Sequence, residues 1–293
     1  MSASLLLAAP LVNKLQESIS RRAAILRRRG LIPKLAIVDA TGDPASATYA
    51  KMKMRQADKL GISTSLYGLN PSSRDTRGSL LDLLRELGQD SRVHGIFIER
   101  PMPQELEMSE WLSLLPPQKD VEGVHPINIG KLFLDTPNLP AVFMPTTALA
   151  CVEMLKFYKV PLAGVHAVVV GRSVTVGRPL AWMLLRENAT VTICHSRTAD
   201  LARHTREADV LISATGHPDL IGVEHVSSRA AVIDVGTTYK DDGSVCGDVQ
   251  FDQVVSKVRM LTPHIGGLGP VTTVLLLQNA VRAAEMAYAG VVL

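Results

Sequence analysis

Apolar positions along this chain follow two rhythms, one of amphipathic helices and one of short buried strands. Residues 11–29 carry helical periodicity, and residues 34–39 (Lys-Leu-Ala-Ile-Val-Asp) form a short apolar run that suits a buried strand. Residues 46–60 read as helix, 63–67 as a second strand, 78–87 as another amphipathic helix and 93–98 as a third strand. This β-α-β-α-β series predicts a parallel sheet covered by helices. A Pro-rich stretch at 137–145 marks the crossing into a second unit. There a helix over 147–158 leads to the almost unbroken apolar strand 165–170, a glycine-flanked turn at 171–177 and a helix from about Pro179. Further strands are predicted at 190–194, 210–214 and 231–235, and a last helix at about 271–289 is expected to pack back on the first domain. No internal repeat or low-complexity segment interrupts the pattern.

Composition narrows the class. A length of 293 residues suits two domains of ordinary size, and 46% hydrophobic with 20% charged residues is a globular rather than a disordered balance. The net charge of +3 argues against nucleic acid but suits an anionic small ligand. The one basic block, Arg27-Arg28-Arg29, precedes Gly30 and reads as a solvated helix C-terminus favoured by the dipole. Cys151, Cys194 and Cys246 have no paired spacing, and His195 beside Cys194 does not suit two ligands of one metal. Neither a disulfide framework nor a metal site is expected, and a reducing cytoplasm follows. Residues 5–12 are apolar but contain Pro10 and lack a basic leader, so they read as a segment packed on the body rather than a signal peptide. Nothing approaches the ~20 apolar residues of a membrane span.

The segment Gly171-Arg-Ser-Val-Thr-Val-Gly177-Arg-Pro179 follows a strand and opens a helix, where backbone N–H groups and the helix dipole can hold a pyrophosphate. It lacks the spacing of the G-x-G-x-x-G fingerprint, so a plain strand-to-helix turn stays open as its reading. The next strand ends in Cys194-His195-Ser196-Arg197, where an NAD fingerprint places an acid on the ribose hydroxyl. Ser196 and Arg197 offer a donor and a positive charge instead, and Arg172 adds a second cation. Unless both arginines are plain surface residues, this favours a 2′-phosphate, hence NADP. Ala214-Thr215-Gly216 and Val235-Gly236 sit at further strand ends, where small residues let a ligand approach the backbone.

Tyr49 and Lys53 lie one helical turn apart, so they share a face and can act on one ligand. They follow a Gly-Asp-Pro turn at the C-terminal end of a strand, where open α/β sheets place ligands; an exposed Tyr-Lys pair is the plain alternative. Four pieces then fall in order: Gly42-Asp-Pro-Ala-Ser46 with Tyr49 and Lys53; Ile98-Glu-Arg-Pro-Met-Pro103; Lys119-Asp-Val-Glu-Gly123 with Pro126-Ile-Asn-Ile-Gly130; and the run from Thr262 to Thr272, Thr-Pro-His-Ile-Gly-Gly-Leu-Gly-Pro-Val-Thr. With the 171–179 turn they resemble the motifs of the methylenetetrahydrofolate dehydrogenase/cyclohydrolase family (V-Q-L-P-L-P, K-D-V-D-G and T-P-V-P-G-G-V-G-P-M-T among them) from about residue 30 to 280.

That resemblance implies two α/β domains. Residues 1–140 with the closing helix 271–293 would form the catalytic, folate-binding domain, and 141–270 a Rossmann-type NADP domain. It implies a folate substrate, NADP as cofactor, no metal, no nucleic-acid or membrane partner, and a cytoplasmic homodimer. Lys53 would assist the one-carbon chemistry, Tyr49 would orient it and line the folate site, Glu99 would bond the lysine and Glu122 would anchor the pterin. Gly266, Gly267 and Pro270 would shape the cleft near the nicotinamide. The dinucleotide would be held by Gly171, Arg172, Ser173, Val176, Gly177, Ser196, Arg197, Ala214, Thr215, Gly216, Val235, Gly236 and Thr272.

The chain departs from the family at functional positions. Glu99 and Glu122 stand where glutamine and aspartate are expected, Arg100 replaces a leucine and Ile265 a proline; at 145–150, Pro145 and Thr147 are kept but a cysteine, a proline and a glycine are not. A carboxylate within about 4 Å of Lys53 would favour the ammonium and hinder water attack, so the cyclohydrolase step should suffer. The cationic methenyl product of hydride transfer would be stabilised. Two other readings of Glu99 stay open: pairing with Arg100, or acting as a general base for water. Glu122 keeps the charge but moves it by about 1.5 Å. The resemblance with these departures implies NADP-dependent oxidation of 5,10-methylenetetrahydrofolate to the 5,10-methenyl form, with the cyclohydrolase step weak or absent. The alternatives are a fully bifunctional enzyme, a non-catalytic folate- or nucleotide-binding homologue, and a different α/β dehydrogenase for a small acid.

Overall fold

The computed structural model describes residues 2–69, 76–100, 108–134, 143–239 and 245–290, with no side-chain description at 44, 45, 109 and 239. The Pro-rich crossing at 137–145 and the Pro-Met-Pro at 101–103 lie largely or wholly outside those residues. In chain order come β1 (Ser4–Leu5), α1 (Ala8–Arg28), β2 (Lys34–Asp39), α2 (Pro44–Lys59), β3 (Ser63–Gly68), α3 (Thr76–Gln89), β4 (Gly95–Ile98), α4 (Met108–Leu112), α5 (Pro126–Leu134) and α6 (Thr146–Phe157). They are followed by β5 (His166–Val170), α7 (Gly177–Arg186), β6 (Thr190–Cys194), α8 (Leu201–Thr205), β7 (Val210–Ser213), β8 (Ala231–Asp234), β9 (Thr238–Tyr239), β10 (Val245–Cys246), α9 (Phe251–Val254), β11 (Met260–Leu261) and α10 (Gly269–Tyr288).

The chain divides into two compact units: residues 14–144 with 273–293, and residues 1–13 with 145–272. In the first, three parallel strands run in the order β3-β2-β4. The middle strand β2 is buried from Leu35 to Asp39, which is why its sequence is an unbroken apolar run rather than an alternation. Leu80, Leu84 and Leu87 on α3 pack with Val38, Ile96, Ile98 and Trp111 into one core cluster. The closing part of α10 belongs here: Asn279 Nδ2 donates to the Val121 carbonyl at 2.8 Å, and Ala283 and Met286 pack on Phe143.

The second unit holds a six-stranded sheet in the order β1-β11-β8-β7-β5-β6, parallel throughout. Its edge strand β1 comes from the segment read from sequence as merely packed on the body. Two residues are too few to show a period, yet Ser4 and Leu5 pair with Met260 and Leu261, and this carries residues 1–13 away from the N-terminal unit. β9 and β10 form a separate antiparallel pair.

Candidate functional site

In the first unit, reversal of strand order around β2 puts two elements at one sheet edge: α2, which follows β2, and the residues after β4. Lys53 comes from α2 and Glu99 from the end of β4, where the Glu99 amide still donates to the Val38 carbonyl at 2.8 Å. The Lys53 ammonium donates to both Glu99 oxygens, at 2.6 and 2.9 Å. It also lies 4.6 Å from the centre of the Phe97 ring. Phe97 and Glu99 are two residues apart, so the strand's alternation presents them to the same lysine. Burial pushes the Glu99 carboxyl up from its ordinary value, the Lys53 charge and hydrogen bonds pull it down, and Asp39 adds a weaker upward push. Tyr49 stands on the same helix as Lys53, one turn earlier, and is partly exposed.

Glu122 is brought to this edge by a single parallel bridge between Ile96 and Asp120, which lays residues 120–122 alongside β4. The Glu99–Arg100 pairing left open by the sequence is not the one the structure has: Glu99 pairs with Lys53, and Arg100 stands 3.7 Å from Glu122. Burial pushes the Glu122 carboxyl up to about 7; Arg100 pulls it down, Asp120 raises it, and Lys53 and Glu99 act more weakly in opposite senses.

The turn carrying Glu122 rests on residues that the sequence reading did not single out. Asp120 is buried and accepts from the Gly123 and His125 amides and from Asn128 Nδ2, at 3.0, 2.7 and 2.9 Å. Lys119 Nζ donates to the carbonyls of Leu87, Gly88 and Asp90, closing the C-terminus of α3. Gly123 has φ +74°, and a Cβ there would lie 2.3 Å from the Met144 carbonyl carbon. A run of Lys, Asp and Gly around one acid was the available signal: two of the three organise backbone and the third admits it.

In the second unit, strand order reverses between β5 and β7, and there Gly171 follows β5 while Ala214 follows β7. Gly171 has φ +123°, and a Cβ on it would sit 2.4 Å from the Ala214 oxygen; one on Gly177 would sit 2.1 Å from the Gly171 oxygen. The glycines therefore let this turn fold onto its own backbone. Ser173 Oγ accepts from the Val176 and Gly177 amides at 3.1 and 3.3 Å, and the Arg178 amide donates to the Ser173 carbonyl. The first-turn amides of α7 are thus used internally, and the amides of residues 172–175 are what the turn can offer an anion. Arg172, Ser173, Ser196 and Arg197 are exposed around that edge.

Thr215, Gly216, Val235 and Gly236 follow β7 and β8 on the same carboxyl edge. Two acids missed from the sequence hold these loops. Asp248 accepts from Ser213 Oγ and the Thr215 amide at 2.8 and 2.7 Å. Asp234 accepts from the amides of Gly236, Asp248 and Val249 at 2.9 to 3.0 Å, and burial pushes its carboxyl up to about 6. Gly266 and Gly267 precede α10, Pro270 and Thr272 lie in its first turn, and the Thr272 amide donates to the Leu268 carbonyl at 3.2 Å. The structure thus groups these four with the dinucleotide candidates, and Lys53, Tyr49, Glu99 and Glu122 in the other unit. Among the described residues no cluster of His, Cys, Asp and Glu is arranged to hold a metal, and no helix is long and apolar enough to cross a membrane.

Two family models match the chain: the tetrahydrofolate dehydrogenase/cyclohydrolase catalytic domain over residues 6–122, and the NAD(P)-binding domain of the same family over residues 145–288. The bifunctional protein FolD of Nitrosomonas eutropha is 40% identical over 289 residues, spanning 99% of this chain and 96% of its own. The crystal structure of the bifunctional enzyme FolD, methylenetetrahydrofolate dehydrogenase/cyclohydrolase, from Campylobacter jejuni superposes with a TM-score of 0.91 at 37% identity, covering 97% of this chain and 99% of that one. The N5,N10-methylenetetrahydrofolate dehydrogenase-cyclohydrolase of Trypanosoma brucei, solved with NADP and an inhibitor, gives a TM-score of 0.91 at 32% identity, covering 98% and 99%.

Proposed function

The chain belongs to the tetrahydrofolate dehydrogenase/cyclohydrolase family, and on that premise we propose that it oxidises 5,10-methylenetetrahydrofolate to the 5,10-methenyl form with NADP, the cyclohydrolase step being weak or absent. The unit of residues 14–144 and 273–293 takes the folate, and the unit of residues 1–13 and 145–272 takes the dinucleotide. A homodimer goes with this reading as an expectation from the family, and a cytoplasmic setting as an expectation from the unpaired cysteines.

One observation carries the division of activities: the two-oxygen grip of Glu99 on Lys53. Hydrolysis of the methenyl group needs a group that takes a proton from the attacking water. An amine that is donating to two carboxylate oxygens presents hydrogens, not a lone pair, so Lys53 is poorly placed for that task. Dehydrogenation makes no such demand, because a hydride leaves the bridging carbon and a delocalised cation remains on the folate. The Glu99 carboxylate, raised by burial yet held by Lys53, supplies negative charge where that cation develops. Tyr49, one turn along α2, lines the same face and orients the folate, while Glu122 accepts from the pterin N–H groups.

NADP, when bound, supplies the hydride acceptor. The turn at 171–177 fits its pyrophosphate: glycine at both ends lets the loop close, amides 172–175 remain as donors, and Arg172 brings a charge. Ser196 and Arg197 at the end of β6 fit a 2′-phosphate, since no acid stands there to repel it.

Paired assays on one purified sample test the reading. One follows methenyl formation from methylenetetrahydrofolate with NADP or NAD; the other follows decay of supplied methenyltetrahydrofolate. NADP-dependent formation without accelerated decay is expected. Rapid decay would make the enzyme fully bifunctional, and absence of both activities would leave a binding homologue.

A further inference from the structure

Side chains at the end of β4 alternate between two neighbours. Phe97 and Glu99 meet Lys53. Ile98 packs in the cluster that contains Trp111, and the Arg100 guanidinium carbon stands 6.0 Å from the centre of the Trp111 ring. Trp111 is itself fully buried, so this face of the guanidinium rests on a fixed platform. From there Arg100 reaches Glu122 at 3.7 Å, its side chain 35% exposed and that of Glu122 19%.

We propose that Arg100 is a positioning residue for folate binding: seated on Trp111 and 3.7 Å from Glu122, it favours the anionic form of that carboxylate, the form that accepts hydrogen bonds from the pterin. This rests on the reading of Glu122 as the pterin anchor. The charges facing Glu122 explain why a dedicated cation is needed. Asp120 on its own turn and Glu99 at the end of β4 both oppose its ionisation, burial opposes it most, and Lys53 on α2 is engaged with Glu99. A protonated Glu122 would present a donor to the donor groups of a pterin and lose one of its acceptors. A guanidinium stays charged at every pH at which the enzyme works, so it holds the anion without titrating itself. Lysine in its place keeps the charge but loses the planar seat on the indole.

The test is a carboxyl ¹³C NMR titration of the full-length, ligand-free protein labelled at glutamate, with the Glu122 signal identified by its loss in Glu122→Gln. Folate KM and kcat of the dehydrogenase reaction are measured over the same pH range. Arg100→Leu is expected to move the Glu122 midpoint upward by about one pH unit or more. The rise in folate KM on acidification should set in at correspondingly higher pH, with kcat changed less, and Arg100→Lys should restore most of the shift. An unmoved midpoint in Arg100→Leu overturns the proposal, as does a KM raised equally at every pH. If the midpoint moves but Glu122→Gln leaves folate KM unchanged, the proposal also falls, and the fault lies with Glu122 as pterin anchor rather than with its coupling to Arg100.

Discussion

Both carboxylate oxygens of Glu99 accept from the single ammonium of Lys53, at 2.6 and 2.9 Å, with the Phe97 ring closing a third side at 4.6 Å. The pair is mostly buried, so neither partner is easily replaced by water. A buried carboxylate can also be left unpaired only at a cost of several kcal/mol. The lysine is therefore held by chemistry as well as by position, and a neutral partner of the same size should release it.

Glu99→Gln is that replacement. An amide offers one oxygen to Lys53 and carries no charge, so the amine can present its lone pair to water. Decay of methenyltetrahydrofolate should accelerate by roughly a hundredfold over the parent, the lower end of general acid–base effects. Dehydrogenase kcat should fall by a smaller factor as charge opposite the methenyl cation is lost. Unchanged decay in a variant that still oxidises methylenetetrahydrofolate would show that Glu99 does not suppress hydrolysis.

Cofactor choice should follow the two exposed arginines of the dinucleotide unit. Charge-assisted contacts of guanidinium with phosphate contribute about 1.5–3 kcal/mol. Replacing Arg197 with alanine is therefore expected to raise KM for NADP roughly tenfold while leaving KM for NAD nearly unchanged, and Arg172→Ala should act on both. Initial-rate measurements with each cofactor decide; an equal effect of Arg197→Ala on NADP and NAD would remove it from the 2′-phosphate.

The strands were legible because burial on both sides gives β2, β5, β7 and β8 unbroken apolar runs; the predicted 190–194 strand coincides with β6. Long helices were legible from their period, and α10 begins two residues before the predicted 271. The short pieces were not. β1 and β11 each have two residues, and their pairing depends on sequence neighbours about 256 positions away, a contact that no local pattern encodes. The site divided along the same line. Tyr49 and Lys53 could be read from one helical turn, and Glu99 from its motif. The choice of Arg100 between Glu99 and Glu122 depended on the Ile96–Asp120 bridge, which only the folded chain supplies. Asp234 and Asp248 escaped notice because isolated acids at strand ends look like solvated turns until their backbone donors are seen.

Gly123 should be the least replaceable residue of the turn that carries Glu122. Its φ of +74° is strained for any side chain, and an added Cβ would meet the Met144 backbone, which cannot swing away as a side-chain tip would. Gly123→Ala is expected to destabilise the protein by about 2–4 kcal/mol. Gly130, inside α5, has open space around its would-be Cβ, so Gly130→Ala should stabilise by about 0.5–1 kcal/mol. Urea unfolding of the two variants side by side checks the contrast, and equal effects would mean that the 123–144 contact is not rigid.

The last prediction sets stability against pH. Glu122 titrates at about 7 in the fold, against an ordinary carboxyl value of 4.5. Below pH 4.5 it is protonated in both the folded and the unfolded chain, and ionisation costs the fold nothing. Between 4.5 and about 7 the unfolded chain ionises first, so folding loses stability as pH rises, by up to about 1.4 kcal/mol per pH unit. Above 7 the loss is constant. Glu122→Gln has the same shape and does not titrate, so its stability relative to the parent should be near zero at pH 4 and climb to a plateau above pH 7. Partial exposure of the side chain reduces that plateau to about 1–3 kcal/mol. Urea midpoints of the two proteins at intervals from pH 4 to 8 give the curve directly. A constant offset across the range would mean that Glu122 titrates in the fold as it does in solution, the effect of burial being fully offset by the charges around it.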